Sequence, residues 1–330
     1  MTEHLNIQEI DESPTGELLQ PLSRPRQIFT YTMNGLVFGL TALALIPLLS
    51  ILWEIMVKGL KDFQLEMLVK PVIENGFANA IIGTILMVGL GALISVPVGL
   101  MTGIFLAEFG KTNPIAQFVR FITSILTGVP SIVVGMFAYG IIVLTTKGFT
   151  AIAGGFALAV IMLPVIILTT EEALKLIPTP QRLASAALGG TRLQTTFRVV
   201  VSSALPGIAT GILLAIARAA GETAPLVFTA LFSFDWSSSL FNTEAFSQCL
   251  TQGQCPQLPV DENPLIGWLK VWLPGFVEPT ASLPVLIFNL YNDPEPAKNQ
   301  LVWTTSIILL SLVLCFSLLS RLVTNKSRIK

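Results

Sequence analysis

The chain has 330 residues, of which 52% are hydrophobic and only 12% charged, and its formal net charge is −1. Soluble domains carry about 25% charged residues. With a mean hydropathy of +0.74, this is the composition of an integral membrane protein, and the near-zero charge gives no field that would draw nucleic acid. There is one histidine, His4, and no pair of cysteines spaced CxxC. Imidazole acid–base chemistry and a metal centre are therefore not expected, and no cofactor is.

The chain opens on a polar tail. Residues 1–27 hold Glu3, Glu9, Asp11, Glu12 and Glu17 against Arg24 and Arg26, with Pro14, Pro21 and Pro25 discouraging helix. A cleavable signal needs a basic start followed directly by an apolar core, so the tail is expected to be retained, disordered and cytoplasmic.

About 20 predominantly apolar residues cross a bilayer as a helix. Windows of that kind predict six spans, at about 28–53, 75–107, 121–146, 148–170, 203–232 (inside the window Val199–Phe234) and 299–320. Six spans within one membrane domain, 28–330, put both termini on one side. One set of flanks holds Arg24, Arg26, Lys111, Arg120, Lys175, Arg182, Arg192, Arg198, Arg321, Lys326, Arg328 and Lys330. The other holds Lys58, Lys61, Lys70, Lys147, Lys270 and Lys298. The richer set is expected to be cytoplasmic, in a plasma (inner) membrane.

Two spans contain breakers: Pro97 in the second, and Gly128-Val129-Pro130-Ser131 in the third. Proline removes an intrahelical hydrogen bond, and in a membrane the freed carbonyl must find a partner inside the protein. The pattern fits an ordinary packing kink better, since proline is common in membrane helices; the sharper alternative is a broken helix whose half-helix N-terminus faces an anion path.

The segment 171–202 is charged and too long for an ordinary connection. Thr179-Pro180 is a helix start, and Gly189-Gly190 a stop. Thr191 begins a second helix that places Leu193, Phe197, Val200 and Val201 on one face. A knob of two short helices around a glycine elbow suits docking of a cytoplasmic partner better than it suits a plain loop. The predicted outer loop, 233–298, holds seven acids against Lys270 and Lys298, with Trp236, Trp268 and Trp272 suited to the membrane interface. Cys249 and Cys255 lie there, where an oxidising compartment would permit either a disulfide or two free thiols.

Arg218 is the one Lys or Arg well inside a span, and Glu222 follows one turn later on the same face. An intramembrane charge is costly and usually faces a bundle interior or an aqueous cavity. The guanidinium fork suits a tetrahedral oxyanion. An internal ion pair that only holds helices together is the competing reading, although Arg preceding Glu is the weaker helical order.

The knob resembles the EAA loop of ABC-importer permeases, with its glycine at Gly189 in Ala184-Ser185-Ala186-Ala187-Leu188-Gly189. Three further segments are similar to the phosphate-importer permeases of the Pst system, of the PstA-like kind: Gly128 to Gly135, Leu163-Pro164 followed by Glu171-Glu172-Ala173-Leu174 and Pro178, and Ala215 to Leu226. Leu183 stands where the loop's usual glutamate would fall, which removes a polar contact to an ATPase.

The resemblance implies an all-α integral membrane fold of the type I, MetI-like importer class with cytoplasmic coupling helices. Ala184, Ala187, Gly189 and Gly190 would contact the ATPase, and Arg218, Glu222, Thr223 and Ser131 would line the substrate pathway. It implies a PstC-like second permease, a PstB-like ATPase dimer and a PstS-like extracytoplasmic binding protein. The chain itself has no GxxxxGK[ST] phosphate loop. The expected function is inward phosphate transport driven by a partner's ATP hydrolysis, with sulfate or molybdate as the alternative oxyanion. A membrane enzyme would need a nucleophile and base within the spans, which carry no histidine. A purely structural scaffold would explain neither Arg218 nor the knob.

Overall fold

The structure is a computed structural model that describes residues 24–61, 63–110, 113–233 and 274–328. The expectations for residues 1–23, for Cys249 and Cys255 and for Trp236, Trp268 and Trp272 lie outside the described residues. By internal packing the chain forms two units, residues 1–54 and 55–330. The described part of the first is the greater portion of helix α1, Arg24–Lys61, which runs through Pro47 without ending. It starts four residues before the expected first span, because Pro25 falls in its first turn, where the missing N–H costs no hydrogen bond.

In the second unit α2 runs Ala78–Phe109, its last five residues as a π turn. It is followed by α3, Pro114–Gly128, and by α4, Ser131–Thr146. Next come α5, Ala151–Lys175, and α6, Thr179–Ala187. Helix α7, Arg192–Ala220, is followed by a short α8, Ala224–Thr229. After the undescribed stretch stand α9, Pro274–Val277, α10, Leu283–Tyr291, and α11, Pro296–Arg328. Local signals start these helices. The Asn113 side chain accepts the Ile115 N–H with Pro114 in the first turn, and Thr150 accepts the Ala153 N–H.

Among the described residues five helices are long and apolar enough to cross a membrane, and α3 with α4 makes a sixth if counted as one span. That pair is the expected third span, and it is bent by 105°. Pro130 therefore breaks the helix rather than kinking it. The prolines at 97, 164 and 206 lie inside continuous helices. The fourth span begins at Ala151 rather than Gly148, because Lys147 adopts a left-handed conformation that ends α4. The expected fifth span is also interrupted, since α7 stops at Ala220 and α8 begins at Ala224.

Helix α5 is the axis of the second unit. It runs parallel to α2 at glycine contacts: Gly91 meets Leu158, Gly99 meets Ile166, and Gly103 meets Thr170. A Cβ on Gly103 would lie 2.6 Å from the Thr170 Cβ. Small residues give membrane helices this close approach, where no hydrophobic driving force separates helix from lipid. On its other side α5 meets α7 antiparallel, with Gly207 against Ala173 and Gly211 against Thr169. Helix α10 and Ala281 are buried with Phe77 and Ala80 near the start of α2, where the Thr84 hydroxyl accepts the Leu283 N–H at 2.9 Å.

Candidate functional site

The antiparallel register of α5 and α7 sets the depth of Arg218. Gly207 faces Ala173, Gly211 faces Thr169 and, beyond the break, Leu226 faces Gly154. The same register places Arg218 level with Met162, at the middle of α5. Ala215, Ala219 and Ala220 pack there with Leu158, Met162 and Ile166. Arg218 occupies the opposite face of α7, with an exposed side chain beside exposed Leu214 and Gly221.

Its Nε stands 3.8 Å from Glu222 Oε1. That is at the limit of an ion pair and beyond hydrogen-bond reach, so the guanidinium retains its donors. The helix is broken directly beside this pair. Gly221 and Glu222 turn back onto the carbonyls of Arg218 and Ala219, and the Thr223 carbonyl accepts the N–H groups of Leu226 and Val227 to start α8. Thr223 makes no side-chain cap.

The second break comes close to the first. A Cβ on Gly135 of α4 would stand 2.6 Å from the Pro225 Cα of α8, so the half-helices that follow the two breaks touch. Pro130 caps α4 without a side-chain hydrogen bond, and its carbonyl accepts from Val133 and Val134. Ser131 is half-buried at the start of α4, and among the described residues no hydrogen bond joins it to Arg218 or Glu222. Of the four expected pathway residues, the structure thus brings Arg218, Glu222 and Thr223 together at one break and places Ser131 at the other.

The knob forms as two short helices. Helix α6 begins one residue earlier than the Thr179 cap implies, with Pro178 at the cap and Thr179 inside the helix. It ends in a Schellman motif, with the Gly190 N–H on the Ser185 carbonyl and the Gly189 N–H on that of Ala186. Gly189 has φ +80°, the left-handed conformation that glycine adopts without a Cβ penalty. Thr191 then starts α7 with a reciprocal capping box to Gln194. Ala184, Ala187 and Gly189 are exposed and Gly190 is half-buried, while Leu188 at the tip is 91% exposed. Along the expected common face of the second helix, Val200 is buried and Val201 half-buried, while Leu193 and Phe197 are exposed. Residues 195–200 form a π turn, whose extra residue per turn shifts the positions that a regular helix would align.

A set of arginines that the sequence reading treated only as flanking charge ties the knob to the bundle. Arg182 pairs with Glu108 of α2 and donates to the Leu174 carbonyl of α5 at 2.9 Å. Arg192 donates to the Glu108 carbonyl at 2.6 Å and lies over the Phe109 ring. Arg120 of α3 donates to buried Glu171 at 2.8 Å and to the Leu106 and Gly110 carbonyls. These carbonyls close the ends of α2 and α5, where helices lack internal donors and favour cations.

The family model for the inner membrane component of binding-protein-dependent transport systems matches residues 99–329. The chain belongs to that family. Within the inner membrane component family it is similar to the phosphate transport system permease protein PstA of Haemophilus influenzae, 33% identical with 88% of this chain and 93% of that protein covered. The PstA 1 protein of Mycobacterium tuberculosis is 30% identical over 98% of this chain and 96% of its own length. The fold of this inner membrane component is similar to a chain of the MetNI methionine ABC transporter in an inward facing conformation, with TM-score 0.53 and 17% identity over 76% of this chain and 95% of that one. The matched family region contains both helix breaks, the knob and the arginines around it.

Proposed function

We propose that this chain is a transmembrane permease subunit of an ATP-driven importer that carries inorganic phosphate inward. The observation that carries the reading is Arg218, an exposed cation level with the middle of α5, in the last turn of α7 beside the interruption that separates it from α8. Lipid is a poor neighbour for such a group, so its face of α7 borders an aqueous path or a second subunit. A guanidinium there is a station for an oxyanion, and the names of the similar proteins favour phosphate over sulfate or molybdate.

The basic end with the knob is cytoplasmic in this reading, as are both termini. Exposed Ala184, Ala187, Leu188 and Gly189 meet a PstB-like ATPase, where ATP is hydrolysed; the permease is not itself an enzyme. A PstC-like permease completes the path, and a PstS-like protein delivers phosphate to the opposite face. Cys249 and Cys255, placed on that outer face, are expected to be joined in a disulfide. An impermeant thiol reagent that labels both before reduction would remove that bond.

The test is reconstitution of the chain with these three partners in vesicles. ATP-dependent phosphate uptake that excess sulfate or molybdate does not inhibit is expected. Uptake of sulfate or molybdate in preference to phosphate would overturn the substrate, and absence of ATP-dependent uptake would overturn the reading.

A further inference from the structure

Glu108 is joined to the knob twice. Its carboxylate pairs with Arg182 of α6, and its carbonyl accepts from Arg192 at the start of α7. These partners lie 74 and 84 residues away in sequence, so the link is tertiary and owes nothing to chain connectivity. Arg182 is also bonded to the last turn of α5, through the Leu174 carbonyl. One guanidinium therefore holds α2 and α5 together against α6.

The Glu108 and Arg182 side chains are mostly buried, at 11% and 21% exposure. A pair this shielded is far less screened than a surface ion pair. Above it, the close glycine contacts of α2 with α5 and of α5 with α7 leave little room for the helices to slide independently. Ser185 and Thr195 join the two knob helices through their hydroxyls at 2.9 Å. Helix α7 begins inside the knob and ends at Ala220, with Arg218 in its last turn beside the break.

We propose that Glu108, held by Arg182 and Arg192, is a positioning residue that makes the knob and the ends of α2 and α5 move as one body, so that displacement of the knob reaches the helix breaks at mid-depth. The proposal rests on the ATPase-coupled reading above and adds to it the link through which coupling passes. A helix-end cap with only a local role would leave motion of the knob relative to α2 unconstrained.

Two measurements test it in the reconstituted complex. The first is phosphate moved per ATP hydrolysed. Glu108→Gln and Arg182→Gln should each lower this ratio by about tenfold, the scale of one charge-assisted hydrogen bond, and the double variant should fall no further than either. Additive losses, or an unchanged ratio, would overturn the proposal. The second uses spin labels at exposed Leu193 and exposed Met101, in a chain with its own cysteines replaced by serine. Their separation should stay constant through the ATP cycle in the otherwise native chain and broaden in Glu108→Gln. A separation that changes with nucleotide in the native chain would overturn the proposal. Native complexes that hydrolyse ATP without moving phosphate would count against the transport reading, and the label separation decides the role of Glu108 in that case too.

Discussion

Arg218 and Glu222 face each other across the end of α7 at 3.8 Å, with 61% of the Arg218 side chain exposed and 18% of that of Glu222. The asymmetry separates two roles. A structural pair would be buried on both sides and closed to hydrogen-bond distance, whereas this guanidinium remains open to a ligand. Arg218→Gln keeps hydrogen-bonding capacity and removes the charge. It should lower phosphate uptake about tenfold to a hundredfold, for ~1.5–3 kcal/mol of charge-assisted bonding, while assembly persists. Arg218→Lys retains charge without the fork and should fall between. If the pair were structural, Arg218→Gln with Glu222→Gln would restore uptake; recovered uptake in that double variant sinks the pathway role.

Gly135 and Pro225 hold the two breaks against each other. An added Cβ at 135 would meet backbone, 2.6 Å from the Pro225 Cα and 3.2 Å from its carbonyl oxygen, and neither can turn aside as a flexible side chain would. Gly135→Ala should cost about 1–3 kcal/mol and lower the thermal midpoint of the purified chain. Gly140→Ala is the control, because nothing lies within 4 Å of its added Cβ. Equal midpoints for the two variants would refute the close contact.

The spans and the knob were legible because their signals are local: apolar windows, Thr-Pro starts and a glycine stop. The 105° bend was not. Proline announces a lost hydrogen bond, but the angle depends on what the next helix packs against, here Pro225. Nor was the Glu108–Arg182–Arg192 arrangement, since charges at the ends of spans look alike in sequence and their pairing across 74 or 84 residues is set by packing.

The turn between α10 and α11 should respond to pH. The Glu295 backbone N–H, and then Lys298, hold the Asp293 carboxyl below its usual range. A lowered folded value means that the contribution to stability is present above the unfolded pKa, about 4, and is lost as pH falls through the folded one. Lys298 is raised, first by its hydrogen bond to Asp293, so its contribution is present below the ordinary lysine range and is lost as pH rises through the raised value. Hydrogen exchange at the Glu295 amide should therefore lose protection in acid, and Asp293→Asn should remove that dependence. An acid response that survives in Asp293→Asn would assign it elsewhere.

Gly189 offers the cleanest separation of backbone strain from contact. Its φ is +80°, and nothing lies within 4 Å of an added Cβ, so a substitution there acts through conformation alone until a partner docks. A β-branched side chain is a genuine outlier in this region, whereas asparagine is enriched there. Gly189→Val should cost about 1–2 kcal/mol locally and distort the Schellman turn that sets α6 against α7. The expected outcome is normal membrane insertion with weakened ATPase recovery or with hydrolysis decoupled from uptake. Gly189→Asn keeps the turn and should retain most of both. Co-purification of the ATPase with each variant decides between conformation and contact: loss in Val alone assigns the elbow its backbone role, equal loss in both assigns a direct contact at this position, and normal recovery and uptake in Gly189→Val would remove Gly189 from coupling altogether.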